Sequence, residues 1–174
     1  PNTKIKMLQQ LLLKSINALK KTNKMQAVDF SQKFKAIVDR YNERSEQDIL
    51  ESNVLEDFTN EIIDLYHEMR NEKDSYKDMG INFEEKAFYD ILKAIAHKYD
   101  FDYPEEKLIY LSKEVKKVVD DKTRYTDWNQ RDDIKADLKV DLIILLAEND
   151  YPPITKDEVF KEIFEQAENF KKYN

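Results

Sequence analysis

The chain has 174 residues, 37% of them charged, with a formal net charge of −7, a single glycine and no cysteine. That length supports one well-buried core without requiring a second domain, and the acidic balance argues against nucleic acid as the main partner, because phosphate contact relies on a positive surface. One glycine, where average usage is about 7%, excludes a Walker A loop and a Gly-rich dinucleotide turn; the missing cysteine excludes disulfides, zinc–thiolate sites and thiol nucleophiles.

Scarce glycine also disfavours turn-rich β architecture, and Lys, Glu and Asp interleaved with Leu, Ile, Phe and Tyr compose amphipathic helices. Ile5, Leu8, Leu12, Ile16 and Leu19 recur at steps of three and four, which predicts a helix from about residue 2 to 22. Phe30, Phe34, Ile37, Val38 and Tyr41 form the stripe of a second, so a helical hairpin turns near residues 21–24. Asn53 with Glu56 resembles a capping box, followed by Leu55, Phe58, Ile62, Leu65, Tyr66 and Met69, and this third helix ends before Gly80. Gly80 suits a left-handed turn, after which Asn82 and Glu85 cap a fourth helix carrying Phe83, Ala87, Phe88, Ile91, Ile95 and Tyr99. Pro104 suits the first turn of a fifth, with Leu108, Leu111, Val115 and Val118 inward. Thr126 or Asp127 opens a sixth with the stripe Ile134, Leu138, Leu142 and Leu145, stopping at residues 149–153. Thr155 with Glu158 caps the last, with Val159, Ile163 and Phe170 facing in. Six to seven amphipathic helices with short connections predict an all-α helical bundle, residues 1–174 forming one domain.

The longest aliphatic run, Leu142 to Ala147, is far short of the ~20 residues that span a bilayer, and no N-terminal signal pattern is present. The expectation is a soluble, cytoplasmic protein without a membrane partner. A start at Pro1 rather than methionine suggests a piece of a larger protein.

Charge is unevenly spread. Residues 1–44 hold ten Lys or Arg against three acids, a net +7, and the remainder nineteen against thirty-three, a net −14. A polar seam at residues 44–53 marks two sub-lobes, a basic hairpin (1–44) and an acidic bundle (53–174). Within the hairpin, Lys14, Lys20, Lys21, Lys24, Lys35, Arg40 and Arg44 are the candidate contacts to nucleic acid or to a partner protein; the plainer alternative is an exposed face packing on an acidic neighbour.

No other constellation carries chemistry. Asp64 and His67 have the i, i+3 spacing of carboxylate-bridged di-iron bundles, but His97 has Ala94 at that offset, so structural, partly exposed histidines are expected and no metal ligand is assigned. The Glu84-Glu85-Lys86 and Glu105-Glu106-Lys107 triplets match nuclease motifs only superficially, since both sit in first turns of helices, where acids favour the positive dipole end. No hydroxyl triad presents itself. Asp133, Asp137 and Asp141 form one stripe and Arg131, Lys135 and Lys139 a neighbouring one, expected as solvated faces with i, i+4 pairs. Trp128 reads as a core anchor and Tyr151-Pro152-Pro153 as a rigid stop. Catalytic, cofactor-binding and metal positions are therefore none.

Four stretches, read in order, resemble the C-terminal helical region of the restriction (R) subunit of type I restriction-modification enzymes: Asn2-Thr3-Lys4-Ile5-Lys6; Phe34 through Arg44-Ser45 with Tyr41-Asn42; Glu84 to Leu92; and Asp127-Trp128 onward, with Arg131, Tyr151-Pro152-Pro153 and Glu165-Gln166-Ala167-Glu168. The resemblance runs nearly end to end. It implies a parent with a nuclease domain and ATP-dependent, magnesium-using motor domains upstream, that translocates DNA and cleaves it. For this part it implies a non-catalytic docking element that holds the motor domains to the methylation and specificity subunits. The alternative is a DNA-contacting module built on the basic hairpin. On the first view the matching strings form the fold, and surface contacts come from exposed charge between them.

Overall fold

The structure, a computed structural model, describes residues 2–44, 52–152 and 157–173. Among these residues there are seven α-helices, two short 3-10 turns and no strand: α1 (Asn2–Lys20), α2 (Lys24–Asn42), α3 (Ser52–Asp74), α4 (Phe83–Lys98), α5 (Glu105–Thr123), α6 (Asp132–Glu148) and α7 (Asp157–Tyr173). The protein is all-α, as the helical periodicity predicts. The chain divides into two compact units, Pro1–Ser75 and Tyr76–Asn174.

In unit 1 the predicted stripes of α1, α2 and α3 meet in one core. Leu12, Ile16 and Leu19 pack with Phe30, Phe34 and Ile37 and with Phe58, Ile62, Leu65 and Met69. Tyr41 stacks on Phe58 with ring centroids 4.1 Å apart. The hairpin turn is closed by Asn23, whose side chain accepts from the Gln26 N–H at 3.0 Å and so satisfies an orphan donor at the start of α2. The third helix therefore belongs with the hairpin, and the seam falls after Ser75 instead of between residues 44 and 53. Asn53 lies inside the first turn of α3 and not before it; the seam residues 45–51 fall outside the described residues.

Near the start of unit 2 stand the left-handed Gly80 (φ +71°) and the capping box expected at α4. The Glu85 N–H donates to the Asn82 side chain at 2.8 Å, and the Asn82 N–H donates to Glu85 Oε1 at 3.0 Å. Helix α4 packs on α5 and α7, and α5 on α6. Two inward positions differ from expectation: Val119 and Leu146 are buried, while Val118 and Leu145 are only half-buried. Both helices continue along their i±4 rows, Leu111-Val115-Val119 on α5 and Ile134-Leu138-Leu142-Leu146 on α6, and such rows are the ridges that helix pairs interlock. Val159, Ile163 and Phe170 of α7 are buried as expected; Thr155, proposed as its cap, lies outside the described residues. Glu158 in its first turn accepts from Lys98 Nζ and the Tyr99 hydroxyl, each at 2.7 Å, and the Lys98 contact holds its carboxyl below the ordinary glutamate value.

Helices α4 and α6 end alike. In each, an aspartate takes the left-handed position that glycine favours, Asp100 at φ 57° and Asp150 at φ 54°. The following residue donates back five positions, Phe101 to the Ala96 carbonyl (2.8 Å) and Tyr151 to the Leu146 carbonyl (2.9 Å). Asp150 also places a carboxylate at the negative end of the α6 dipole. Asp150→Gly is accordingly expected to stabilise unit 2 by about 0.5–1 kcal/mol, read as a higher urea midpoint at unchanged slope.

Candidate interaction surfaces

The seven candidate cations all lie in unit 1, on α1, on α2 or in the turns beside them. Two of them, Lys35 and Arg40, meet acids there, as does the neighbouring Lys33. Lys33 bonds Glu68 at 2.7 Å and Asp29 at 3.3 Å, Lys35 bonds Asp39 at 3.0 Å, and Arg40 reaches Glu61 at 3.6 Å. The hydrogen bond that Lys33 donates to Glu68 raises the Lys33 pKa above its ordinary value. Residues 45–75 hold ten acids against two cations, a net −8, so unit 1 as a whole carries −1. The acidic neighbour weighed against a nucleic-acid face is α3. Lys14 and Arg44 are exposed and form no ion pair among the described residues; Lys20 and Lys21 are also exposed and Lys24 is half-buried.

The acidic triplets serve as helix starts. Glu85 closes the α4 capping box, Glu84 pairs with Lys116 at 3.0 Å, and Glu105 accepts from the Tyr89 hydroxyl at 3.1 Å. Lys86, which spacing alone places on a surface, is buried, and its ammonium meets Asp90 at 2.5 Å. His67 and His97 are exposed, and no group of three metal-capable side chains occurs among the described residues. A cleft of about 550 Å³ beside Trp128 and Phe170 is bordered by Lys116, which is already paired with Glu84 and Asp120, and by Lys171, which donates to the Thr126 carbonyl and to Asn129.

The strings that carry the resemblance are mixed, with 86–92 mostly buried and most of 34–44 exposed. Ile5, Phe34, Ile37, Ala87, Phe88, Tyr89, Ile91, Leu92, Trp128, Tyr151, Gln166 and Ala167 are all buried. The Tyr151 hydroxyl donates to the Leu92 carbonyl at 2.8 Å, and burial pushes its pKa up. The charge pairs of α6 are not the i, i+4 pairs expected, because that spacing sets Asp133 beside Asp137 and Lys135 beside Lys139. Arg131 instead grips Asp133 with two bonds (2.8 and 3.3 Å), Lys122 of α5 reaches Asp141 at 3.3 Å, and Lys139 reaches Asp157 at 3.4 Å.

What sequence reasoning missed is apolar exposure. Met7, Leu11 and Leu13 of α1 stand in solvent, as do Val140 (52% exposed), Ile143 (37%) and Ile144 (49%) of α6. The signal was present in the run Leu142 to Ala147, six consecutive aliphatics, which is wider than one face of a helix. No helix among the described residues is long and apolar enough to cross a membrane.

Residues 1–173 match the family described as "Type I restriction enzyme HindI endonuclease subunit-like, C-terminal". Over 140 residues, 79% of this chain, the sequence is 26% identical to a Methanocaldococcus jannaschii protein bearing the name of a type I restriction enzyme MjaIXP endonuclease subunit, and the match covers 13% of that protein's length. No solved structure matches the chain.

Proposed function

Because the chain belongs to the family of C-terminal domains of HindI-like type I restriction endonuclease subunits, we propose that it is a docking element without catalysis of its own, holding the DNA-translocating part of such a subunit to the methylation and specificity subunits. The observation that carries this reading is the exposure of apolar side chains on α1 and α6, beside a basic hairpin whose unit has a net charge of only −1. Exposed apolar strips rimmed by polar residues favour protein partners, whereas a phosphate-binding surface relies on cations that are free to release counterions.

On the same reading ATP and magnesium act in motor domains of the parent subunit, in the cytoplasm. One glycine cannot build a phosphate loop, and no nucleophile with a partnered base occurs among the described residues. The test is gel filtration of the 174-residue chain against a purified methylation–specificity core, with and without DNA. Co-elution at micromolar concentration without DNA is the expected result. Co-elution only with DNA, lost steeply as salt is raised and abolished by Lys20→Glu with Lys21→Glu, would assign the role to the basic hairpin instead.

A further inference from the structure

Helix α6 is apolar on two sides. Its inner row, Ile134, Leu138, Leu142 and Leu146, is buried in unit 2. Its outer side carries Ala136, Val140, Ile143, Ile144 and Ala147, all exposed. These outer positions recur at the three- and four-residue steps that keep them in one line, and Val140 and Ala147 lie one heptad apart. Its stretch Leu142 to Ala147 is apolar all round, as an interior helix ordinarily is, so the outer strip of α6 has the composition of a contact that the isolated chain leaves open.

The border of the strip says what would cover it. Asp137 and Glu148 flank one edge; both are exposed and form no ion pair among the described residues. The lysine nearest the opposite edge, Lys139, is engaged with Asp157 and lies 5.7 Å from the Phe160 ring centre. A second copy is a poor occupant. Antiparallel pairing sets the acidic edge against itself, and parallel pairing sets Asp133, in line with Val140 and Ala147, on its own counterpart; like charges so placed are destabilising.

We propose that the outer strip of α6 receives an amphipathic helix of a partner protein, one with an apolar centre and a Lys- or Arg-bearing flank facing Asp137 and Glu148. The proposal deepens the docking reading and rests on it only for the source of that helix, a subunit of the same restriction complex. Apolar anchors give such a contact its affinity and the charged edge its register and selectivity.

Two synthetic helices, one of leucine and lysine and one of leucine and glutamate, separate the surface from its natural partner. The 174-residue chain is expected to bind the leucine–lysine helix in preference, with amide shifts confined to α6 and the elements beside it. Val140→Ser with Ile144→Ser, which keeps every charge and alters only exposed positions, is expected to weaken that binding about tenfold or more. Asp137→Lys is expected to reduce the preference for the basic helix. Shifts that map away from α6, a preference for the leucine–glutamate helix, or a concentration-dependent dimer abolished by the double serine variant would each overturn the proposal. Against the methylation–specificity core, wild-type binding that the double variant retains would overturn this surface and leave docking standing. A chain that ignores the core yet binds the basic helix through α6 would do the reverse.

Discussion

Replacing Trp128 by alanine is expected to lower the stability of unit 2 by about 3–5 kcal/mol, the range for deleting a buried tryptophan side chain. Trp128 is 1% exposed and sits in the 3-10 turn Trp128–Gln130 that joins α5 to α6. Around it the backbone is tied by Trp128 N–H to the Tyr125 carbonyl, Gln130 N–H to the Asp127 carbonyl and Arg131 N–H to the Trp128 carbonyl, at 2.9–3.2 Å. Lys171 of α7 adds a bond to Asn129 at 2.8 Å. The turn backbone remains hydrogen-bonded around the missing ring, so the site has little freedom to collapse, and a cavity that cannot collapse is the costly kind. Because Trp128 is the only tryptophan, its emission in the parent chain reports unit 2 alone and should shift to the red on unfolding. The alanine variant is followed by helical circular dichroism in urea. A loss below about 1 kcal/mol, the centre of the distribution for ordinary substitutions, would remove Trp128 as the anchor of the turn.

The helices and their inward lines were legible because a period of 3.6 residues is written directly in the sequence, and so were the local devices at Gly80, Asn82 and Glu85. Which helices share a core was not, because amphipathic spacing says that a line faces inward without saying what it meets. Residues 1–44 looked like a separate basic lobe only because the acids that answer Lys33 and Arg40 stand on α3, at Glu68 and Glu61, beyond the turn that closes the hairpin. The choice between Val118 and Val119, or Leu145 and Leu146, is one of two adjacent positions on a helix, and the neighbouring ridge decides it. Lys86 and Asp90 have the spacing of a solvated surface pair, and spacing carries no information on burial. The candidate site was half legible: the cations lie where the sequence put them, but their partners and the bare strip of α6 depend on tertiary placement.

Phe58→Ala tests that regrouping directly. Phe58 is 2% exposed, belongs to the core shared by α1, α2 and α3, and stacks on Tyr41 near the end of α2. Deleting its ring removes the apolar burial, the stacking contact and the filling between α2 and α3, and the expected cost is about 3–5 kcal/mol. A loss of this size takes up much of the 5–15 kcal/mol that holds an ordinary domain folded. Native-state hydrogen exchange gives the discriminating readout, since amides in a cooperative unit lose protection together. With α3 in unit 1, protection should fall across α1 and α2, notably around Phe30, Phe34 and Ile37, as well as in α3 itself. Were residues 1–44 a lobe of their own, with α3 part of the acidic bundle, the same substitution would leave exchange in the hairpin as it was and speed it from residue 53 onward. Phe58→Leu, which keeps most of the apolar volume but not the stacked ring, should show the same pattern at a smaller amplitude. The pattern therefore follows from where α3 is packed, and the amplitude from how much of the ring is lost.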